Sequence, residues 1–219
     1  MRSFLKLAKN EFSAALKARV HHWRMIRFNS KTGNTILSPN VSLSAVVGHT
    51  VTVLSGTHVD SNCRLQSYSW IGLNCKVTKA DIGRYAGIAD NVSIGPGEHD
   101  LGSINNSALF EADLYEKLTK RPCVIGPDVW IGVDSIVRRG VTIGVGAIVG
   151  ANSFVNKDVP PYAVVAGTPA RLVRFRFNAA QVELLEKSKW WELDFVDAKK
   201  ALDELHVEVA RYASSGAGQ

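Results

Sequence analysis

The sequence has few cysteines and no long apolar run, and these two absences exclude several classes of protein. Its three cysteines, Cys63, Cys75 and Cys123, form no C-x-x-C pair and are too few for a disulfide framework, so we expect a reduced, cytoplasmic setting. No stretch approaches the roughly 18–20 consecutive apolar residues that span a membrane. Charged residues also interrupt the N-terminal segment every few positions, which is not the pattern of a secretory signal peptide.

Acidic residues are nearly absent from the first part of the chain. Residues 1–31 hold eight Lys and Arg side chains against a single acid, Glu11, whereas the whole chain of 219 residues has a net charge of +6. This basic arm predicts contact with something acidic, such as a phospholipid surface, a nucleotide or a protein partner. Nucleic acid is not expected as a partner, because no recognised nucleic-acid motif accompanies the charge.

An aliphatic residue recurs every six positions along most of the chain. A five-residue step to Ile82 shifts this register once, and about thirty residues after Ile94 interrupt it. The position four residues after each aliphatic is nearly always small; Cys63 and Cys75 fall there, where we expect them to pack as small hydrophobic side chains. The sixteen register positions are Val41, Val47, Val53, Val59, Leu65, Ile71, Val77, Ile82, Ile88, Ile94, Ile125, Ile131, Val137, Ile143, Val149 and Val155.

A period of six matches neither the period of a helix nor that of an ordinary strand. It fits a triangular coil in which each unit forms a short strand and a corner, and three units complete a turn. Residues one turn apart then stack at the roughly 4.8 Å spacing of paired strands. A β-sandwich is the alternative, but its alternation would not hold a six-residue register. The pattern therefore predicts an all-β solenoid, a parallel β-helix of a little over five turns.

A solenoid buries its core only between neighbouring turns, so both ends of the coil need covering. Residues 3–27 carry an apolar stripe and predict a helix before the coil. After the coil, Asn178 is the expected N-cap of a C-terminal helix, with Trp190 and Trp191 packing it onto the last turn or a neighbouring subunit. We divide the chain into a basic amphipathic helical arm (1–35), the β-helix (36–167, with a protruding loop at about 97–123) and a C-terminal extension with a helix (168–219).

The register stops between Ile94 and Ile125, and insertions in a solenoid project as loops that commonly carry function. The run Gly95–Gly97 lets the chain leave the coil sharply, and His99 follows at once. Histidine gains and loses a proton near neutral pH, so His99 is the candidate catalytic residue; a solvated loop histidine is the alternative. A zinc site built from several histidines is not expected, since the later half of the coil offers only His99.

Three segments of the chain resemble the hexapeptide-repeat acyltransferases: "IGRYAGIADNVSIGPGEH", "IGPDVWIGVDSIVRRGVTIGVGAIVGANSFVNKDVPPYAVVAGTPARLVRFRF" and "FNAAQVELLEKSKWW". The chain is most similar to the branch with streptogramin and type B chloramphenicol acetyltransferases, and to polysaccharide O-acetyltransferases. This resemblance covers roughly residues 70–210. It implies a left-handed β-helix, a transferase that uses acetyl-CoA, and a homotrimer in which acetyl-CoA lies in the groove between two coils. From the distribution of histidines we expect no metal cofactor.

The resemblance also implies roles for individual residues. His99 would be the general base that takes the proton of an acceptor hydroxyl and returns it to the departing thiolate. Trp130 matches a tryptophan near the histidine and the pantetheine arm; walling the subunit interface is its alternative role. We assign the acceptor pocket to Trp130, Asn105, Asn106 and Phe110. We assign coenzyme A contacts to Ala151, Asn156, Lys157, Arg171 and Arg174, the arginines lying near the nucleotide phosphates; a solvated basic edge is the alternative for the three cations.

The loop departs from the family pattern in one respect. Antibiotic-modifying members carry a longer loop with an "NGANH"-like run, whereas this chain has "GPGEHD". The difference favours a carbohydrate hydroxyl, as in surface polysaccharide or lipopolysaccharide assembly, and the basic arm would suit a cytoplasmic enzyme peripheral to an anionic inner membrane. Three alternatives stay open: an antibiotic acetyltransferase, an N-acetyltransferase of nucleotide-linked amino sugars, and a non-catalytic trimeric scaffold.

Overall fold

The computed structural model describes residues 19–21, 23–99, 101–110 and 113–215. Residues 19–21 and 23–32 form the helix α1, which continues beyond the predicted end at residue 27. The first part of that predicted helix, up to residue 18, lies outside the described residues. Within the described parts of the chain, no helix is both long and apolar enough to cross a bilayer.

Short strands wind into three sheets that form the three faces of a triangular coil. Face 1 consists, in spatial order, of β1 (Thr35–Ile36), β3 (Thr52–Val53), β6 (Trp70–Ile71), β9 (Gly87–Ile88), β12 (Trp130–Ile131), β15 (Ile148–Val149), β17 (Ala163–Gly167) and β18 (Ala170–Phe175). Face 2 consists of β4 (His58–Val59), β7 (Lys76–Val77), β10 (Ser93–Ile94), β13 (Ile136–Val137) and β16 (Phe154–Val155). Face 3 consists of β2 (Val46–Val47), β5 (Arg64–Leu65), β8 (Ala80–Ile82), β11 (Cys123–Ile125) and β14 (Thr142–Ile143).

The chain visits the three faces in turn, and the strands from β1 to β17 pair in parallel with strands one turn away, as Val53 pairs with Ile71 and Ile71 with Ile88. The predicted left-handed β-helix of hexapeptide repeats is confirmed. It has about 7 turns, more than predicted. The six-residue register predicts too few turns because β1 precedes its first position, Val41, and β17 follows its last, Val155. Neither strand is therefore counted.

The aliphatic residues of the register form the core. All of them are buried except Val47 on β2, which is half-buried. Burying a side chain of this size contributes roughly 1.5–3 kcal/mol, and the stacked turns repeat that contribution along the coil. The core is thus one continuous column that runs along the axis of the coil.

Small residues fill the corners, as predicted, and the polar ones satisfy backbone groups there. The Thr57 hydroxyl donates to the Gly72 carbonyl oxygen at 2.6 Å and accepts the Cys75 N–H at 2.9 Å. Cys63, Cys75 and Cys123 are buried free thiols. Burial raises the pKa of Cys63 to about 12, so its thiol acts as a small packed group.

Further elements cover the start of the coil, extend its last turn and pack along one side. Met25 of α1 is buried in the core cluster with Ile36 and Val41 and covers the first turn. At the other end β18 folds back antiparallel to β17, a reversal that the six-residue register does not show. Asn178 caps the helix α3 (Ala179–Ser188) as predicted, in a capping box with Gln181.

The C-terminal extension forms two helices rather than the single predicted one, because a 3₁₀ turn at Trp190–Glu192 separates α3 from α4 (Phe195–Ser215). Trp190 is buried and packs against Tyr85 with 5.3 Å between ring centroids. Arg84 donates to the Trp191 carbonyl oxygen at 2.7 Å. Tyr85 and Arg84 lie at a middle turn, so the tryptophans dock the extension along the side of the coil and not onto its last turn.

Candidate functional site

The inserted loop leaves face 2 at Gly95, directly after β10. Gly95 has φ +64°, and a Cβ there would lie 2.8 Å from the Thr78 carbonyl oxygen, so the exit requires glycine. The loop returns to β11 through the short helix α2 (Leu114–Leu118). The Glu98 N–H donates to the Leu118 carbonyl oxygen at 3.0 Å and ties the outgoing leg to the returning one. His99 therefore lies on a leg that is held close to the coil.

An ion pair fixes the residue next to His99. The Arg138 guanidinium group, one turn along the coil, donates to both carboxylate oxygens of Glu98, with 3.1 Å between Nη2 and Oε2. The Glu98 carboxylate raises the pKa of Arg138 above its usual value. Such two-pronged pairs fix orientation as well as distance, so this pair ties the residue before His99 to the coil.

A second set of polar contacts anchors the returning leg. The Tyr115 hydroxyl donates to Asp60 at 2.6 Å and accepts from Asn62 at 2.9 Å. Burial acts to raise the pKa of Asp60, but hydrogen bonds, first among them that from Tyr115, outweigh it and hold the pKa below its usual value. Lys79 also pairs with Glu116 at 2.9 Å. Tyr115 therefore anchors the loop to the coil.

The loop and the coil enclose a cleft of about 320 Å³, and His99 is on its wall. The predicted acceptor residues Asn105 and Asn106 line the same cleft. The His99 ring is exposed and has no hydrogen-bond partner among the described residues, so it is open to a ligand from the cleft. Phe110 lies elsewhere on the loop with 76% of its surface exposed.

Trp130 lies on a different part of the coil from this cleft. It is on β12 of face 1, between Gly87 and Ile148, and is 56% exposed. A Cβ at Gly87 would lie 4.0 Å from Trp130 Cδ1, so the indole covers the space that glycine leaves free. Trp70 flanks Gly87 on the other side and is also exposed. Trp130 thus belongs to an exposed aromatic strip on face 1.

The predicted coenzyme A residues fall into two groups. Asn156 and Lys157 directly follow β16, at the corner that the loop leaves after β10 and that Arg138 occupies after β13. Ala151 follows β15 on face 1, and Arg171 and Arg174 are exposed on β18. In the described part of the chain, Lys157, Arg171 and Arg174 form no ion pair with a carboxylate. Asn156 Oδ1 is buried without a hydrogen-bond partner there.

Sequence reasoning missed the two consecutive arginines after β13. Arg138 holds Glu98, and Arg139 lines the cleft with only 4% of its surface exposed. The signal was a pair of consecutive arginines directly after a strand of the repeats. Among the described residues, no group of three His, Cys, Asp or Glu side chains is placed to hold a metal ion.

Comparison with known proteins agrees with this architecture. Residues 122–157 match the family model for the bacterial transferase hexapeptide (six repeats). The "Probable macrolide acetyltransferase" of Lysinibacillus sphaericus is 33% identical over 159 residues, which cover 63% of this chain and 85% of that protein. The galactoside O-acetyltransferase of Escherichia coli K12 is 39% identical over 87 residues, 40% of this chain and 42% of that protein. The chain belongs to the hexapeptide-repeat transferase family.

Other similarities are more local. The chain spans about a third of the length of the chloramphenicol acetyltransferases that it matches; the one from Agrobacterium fabrum is 50% identical over 68 residues, 31% of this chain and 32% of that protein. The crystal structure of a hexapeptide-repeat acetyltransferase from Vibrio cholerae, complexed with acetyl coenzyme A, is 28% identical with a TM-score of 0.52. That match covers 62% of this chain and 72% of the other, and agrees with the three-sided coil.

Proposed function

We propose that this chain is an acetyl-CoA-dependent O-acetyltransferase that acts on a hydroxyl group of a carbohydrate, of surface-polysaccharide or lipopolysaccharide type. The observation that carries the proposal is the position of His99, on the wall of a cleft and next to a residue clamped by Arg138. Family membership supports the reaction class, as does the Vibrio cholerae relative with acetyl coenzyme A bound.

His99 would act as the general base. A neutral imidazole nitrogen accepts the hydroxyl proton while the acceptor oxygen forms a bond to the thioester carbonyl carbon. The carbon–sulfur bond then breaks, the acetyl group stays on the oxygen, and the proton passes from His99 to the thiolate. The clamp at Glu98 supports this role, because a base acts well only when it is held at hydrogen-bond distance from the proton it removes.

The cations at the coil corners fit coenzyme A. Lys157, Arg171 and Arg174 are exposed, and coenzyme A carries a pyrophosphate and a 3′-phosphate that such groups bind well. The unpaired amide oxygen of Asn156 is a free acceptor for an amide N–H of the pantetheine arm. Ala151 would contribute backbone hydrogen bonds to the same arm. These residues would bind and orient the donor, while His99 handles the proton.

The polar lining of the cleft favours a sugar as acceptor. Ser103, Asn105, Asn106 and Ser107 line it with hydroxyl and amide groups, which pair with sugar hydroxyls. The galactoside O-acetyltransferase relative supports the same substrate class. An antibiotic hydroxyl is the second candidate, since relatives are chloramphenicol and macrolide acetyltransferases. A large apolar drug would leave these polar groups unpaired, which argues for the sugar.

We also propose that the protein is a homotrimer with one cleft at each subunit boundary. The exposed tryptophans Trp70 and Trp130 on face 1 support this, because large exposed apolar strips commonly mark interfaces. A neighbouring coil would enclose the open His99 ring and complete the donor groove. Trp130 would then lie in the interface between two subunits. Phe110 would contact the acceptor only in the assembled trimer.

Acetyl-CoA should stabilise the protein and be consumed in the presence of a sugar acceptor. At about 100 times its Kd, CoA is expected to raise Tm by roughly 5–10 °C. Thiol release measured over a panel of sugars should then identify the acceptor. Lys157→Gln should reduce the shift, whereas Lys76→Gln, an exposed lysine on face 2, should not. No shift and no thiol release would favour the non-catalytic scaffold.

We propose that α1 contacts an anionic inner membrane from the cytoplasmic side. Met25 is buried and the ring of His21 hydrogen-bonds the Val41 carbonyl oxygen at 3.0 Å, so this side of α1 faces the coil. Trp23 is 73% exposed and lies between the basic residues Arg19, Arg24 and Arg27. An exposed tryptophan among basic residues is typical of helices that lie at a membrane surface.

Trp23→Ser and the double variant Arg24→Gln/Arg27→Gln should each weaken vesicle binding. Each basic residue near an anionic surface contributes about 1 kcal/mol, so the double variant should bind roughly 30-fold less. The measurement is flotation with phosphatidylglycerol vesicles, with phosphatidylcholine vesicles and Lys200→Gln as controls. A chain that lacks residues 1–30 should not float. Equal flotation of all forms would remove the membrane role.

A further inference from the structure

A buried arginine lies at the base of the cleft that contains His99. Arg139 is 4% exposed, and its Nη1 donates to the carbonyl oxygens of Lys79 at 3.2 Å and Arg121 at 3.3 Å. A Cβ at Gly95 would lie 2.9 Å from Arg139 Cζ, so the guanidinium group packs against the loop exit. Its position is therefore fixed where the loop leaves and rejoins the coil.

This guanidinium group is incompletely satisfied. Its Nε and Nη2 atoms are buried and have no hydrogen-bond partner in the described structure. No described carboxylate pairs with it either, since the cleft acid Glu98 is held by Arg138. Arginine keeps its charge in proteins, and a buried charge without a counter-charge is strongly unfavourable. An anion in the cleft would supply the missing counter-charge.

Exposed cations line the same cleft, Lys120 and Arg121 among them. Lys120 and Arg121 are on the returning leg, and neither forms an ion pair with any described residue. Arg121 is held over Gly140, since a Cβ there would lie 2.8 Å from Arg121 Nε. With Arg139 beneath them, these side chains make the cleft cationic next to the proposed base, and charges interact strongly there because the site is partly shielded from water.

We infer that the sugar acceptor carries an anionic group, a carboxylate or a phosphate, which the cleft binds through Lys120, Arg121 and the charge of Arg139. The inference rests on the proposed function and names the acceptor more closely, as a uronic acid or a sugar phosphate. Arg binds both groups in two-pronged fashion, and Lys binds them as a point charge. The anion would hold the sugar so that a hydroxyl faces His99.

The phosphates of coenzyme A are a poor match for these cations. The thioester must meet the acceptor hydroxyl at His99, and the pantetheine arm separates the thioester from every phosphate of the donor. The cations assigned to those phosphates, Arg171 and Arg174, are on β18, outside the cleft. An anion beside His99 therefore belongs to the acceptor.

The test compares three probes that share one ring: glucose, glucuronate and glucose 1-phosphate. Binding to the full chain is measured by ligand-observed NMR at constant ionic strength. We expect one or both anionic probes to bind at least tenfold more tightly than glucose, and the tighter one identifies carboxylate or phosphate as the recognised group. Lys120→Gln and Arg121→Gln should each weaken anion binding about tenfold, the effect of one charged hydrogen bond.

Lys76→Gln removes an exposed lysine outside the cleft and should leave anion binding unchanged, whereas Arg139→Gln should weaken it if the variant folds. Two results would overturn the inference: glucose binding as tightly as both anions, or cleft variants that raise only the KM for acetyl-CoA. If the anions bind but no thiol is released from acetyl-CoA with any acceptor, the proposed function fails while the anion site stands.

Discussion

Replacing His99 with alanine should lower kcat for acetyl transfer by about 100-fold or more and leave the affinity for coenzyme A unchanged. The effect is large because general-base catalysis by a positioned side chain contributes typically 10²–10⁴-fold. Alanine removes the imidazole that the structure places on the cleft wall at the loop exit, whereas the neighbouring Glu98 carboxylate is already paired with Arg138. The measurement is thiol release from acetyl-CoA at saturating donor and acceptor, with CoA affinity taken from the shift in Tm.

His58→Ala is the matched control, because His58 is exposed on β4 of face 2 and lies outside the cleft. His99→Gln keeps the size and polarity of the side chain but cannot accept and return a proton in the same way, so it should be as inactive as alanine. Turnover at the normal rate in both His99 variants would refute the assigned base. Loss of CoA binding in His99→Ala would instead indicate a structural role.

Ile131→Ala should destabilise the protein by about 2–5 kcal/mol. Ile131 is 0% exposed and lies in the middle of the core column on β12. The substitution leaves a cavity in the core. No second layer of side chains can move in to fill it, because the core of the coil is a single column of inward-facing side chains. Urea denaturation, followed by circular dichroism at several protein concentrations, measures the loss and separates it from subunit dissociation.

Ile136→Ala is the comparison variant, since Ile136 is on the next strand of the coil but is 42% exposed. We expect it to change the free energy of unfolding by less than about 1 kcal/mol, as surface substitutions usually do. Equal losses at the two positions would contradict the conclusion that the inward column carries most of the stability.

Most of the coil could be predicted because one physical constraint repeats in it. A three-sided turn has room for one large aliphatic side chain per face. The local six-residue spacing is therefore enough to identify inward-facing residues such as Ile71 and Ile88. The constraint ends where the geometry changes. β18 runs antiparallel, and the C-terminal helices dock on Tyr85 through contacts more than a hundred residues apart, so no local pattern encodes them.

The candidate site was predictable only in its local part. An interruption of the register with a histidine at its start is visible in the sequence, and the structure brings His99 together with Asn105 and Asn106. The clamp between Glu98 and Arg138 joins residues 40 positions apart, which only the stacking of turns brings into contact. The roles of Trp130 and Phe110 stay predictions, since they depend on a second subunit.

The inserted loop contributes nothing to the pairing of the strands on either side of it. β10 pairs with β7 and β13, and β11 pairs with β8 and β14, so the ladders run past the insertion without a gap. A segment of different length or chemistry could replace residues 101–122, which follow His99 along the chain, while the stacked turns and the corner with Asn156 and Lys157 keep their shape. Acceptor preference can therefore diverge as an interchangeable cassette on a scaffold that need not be redesigned.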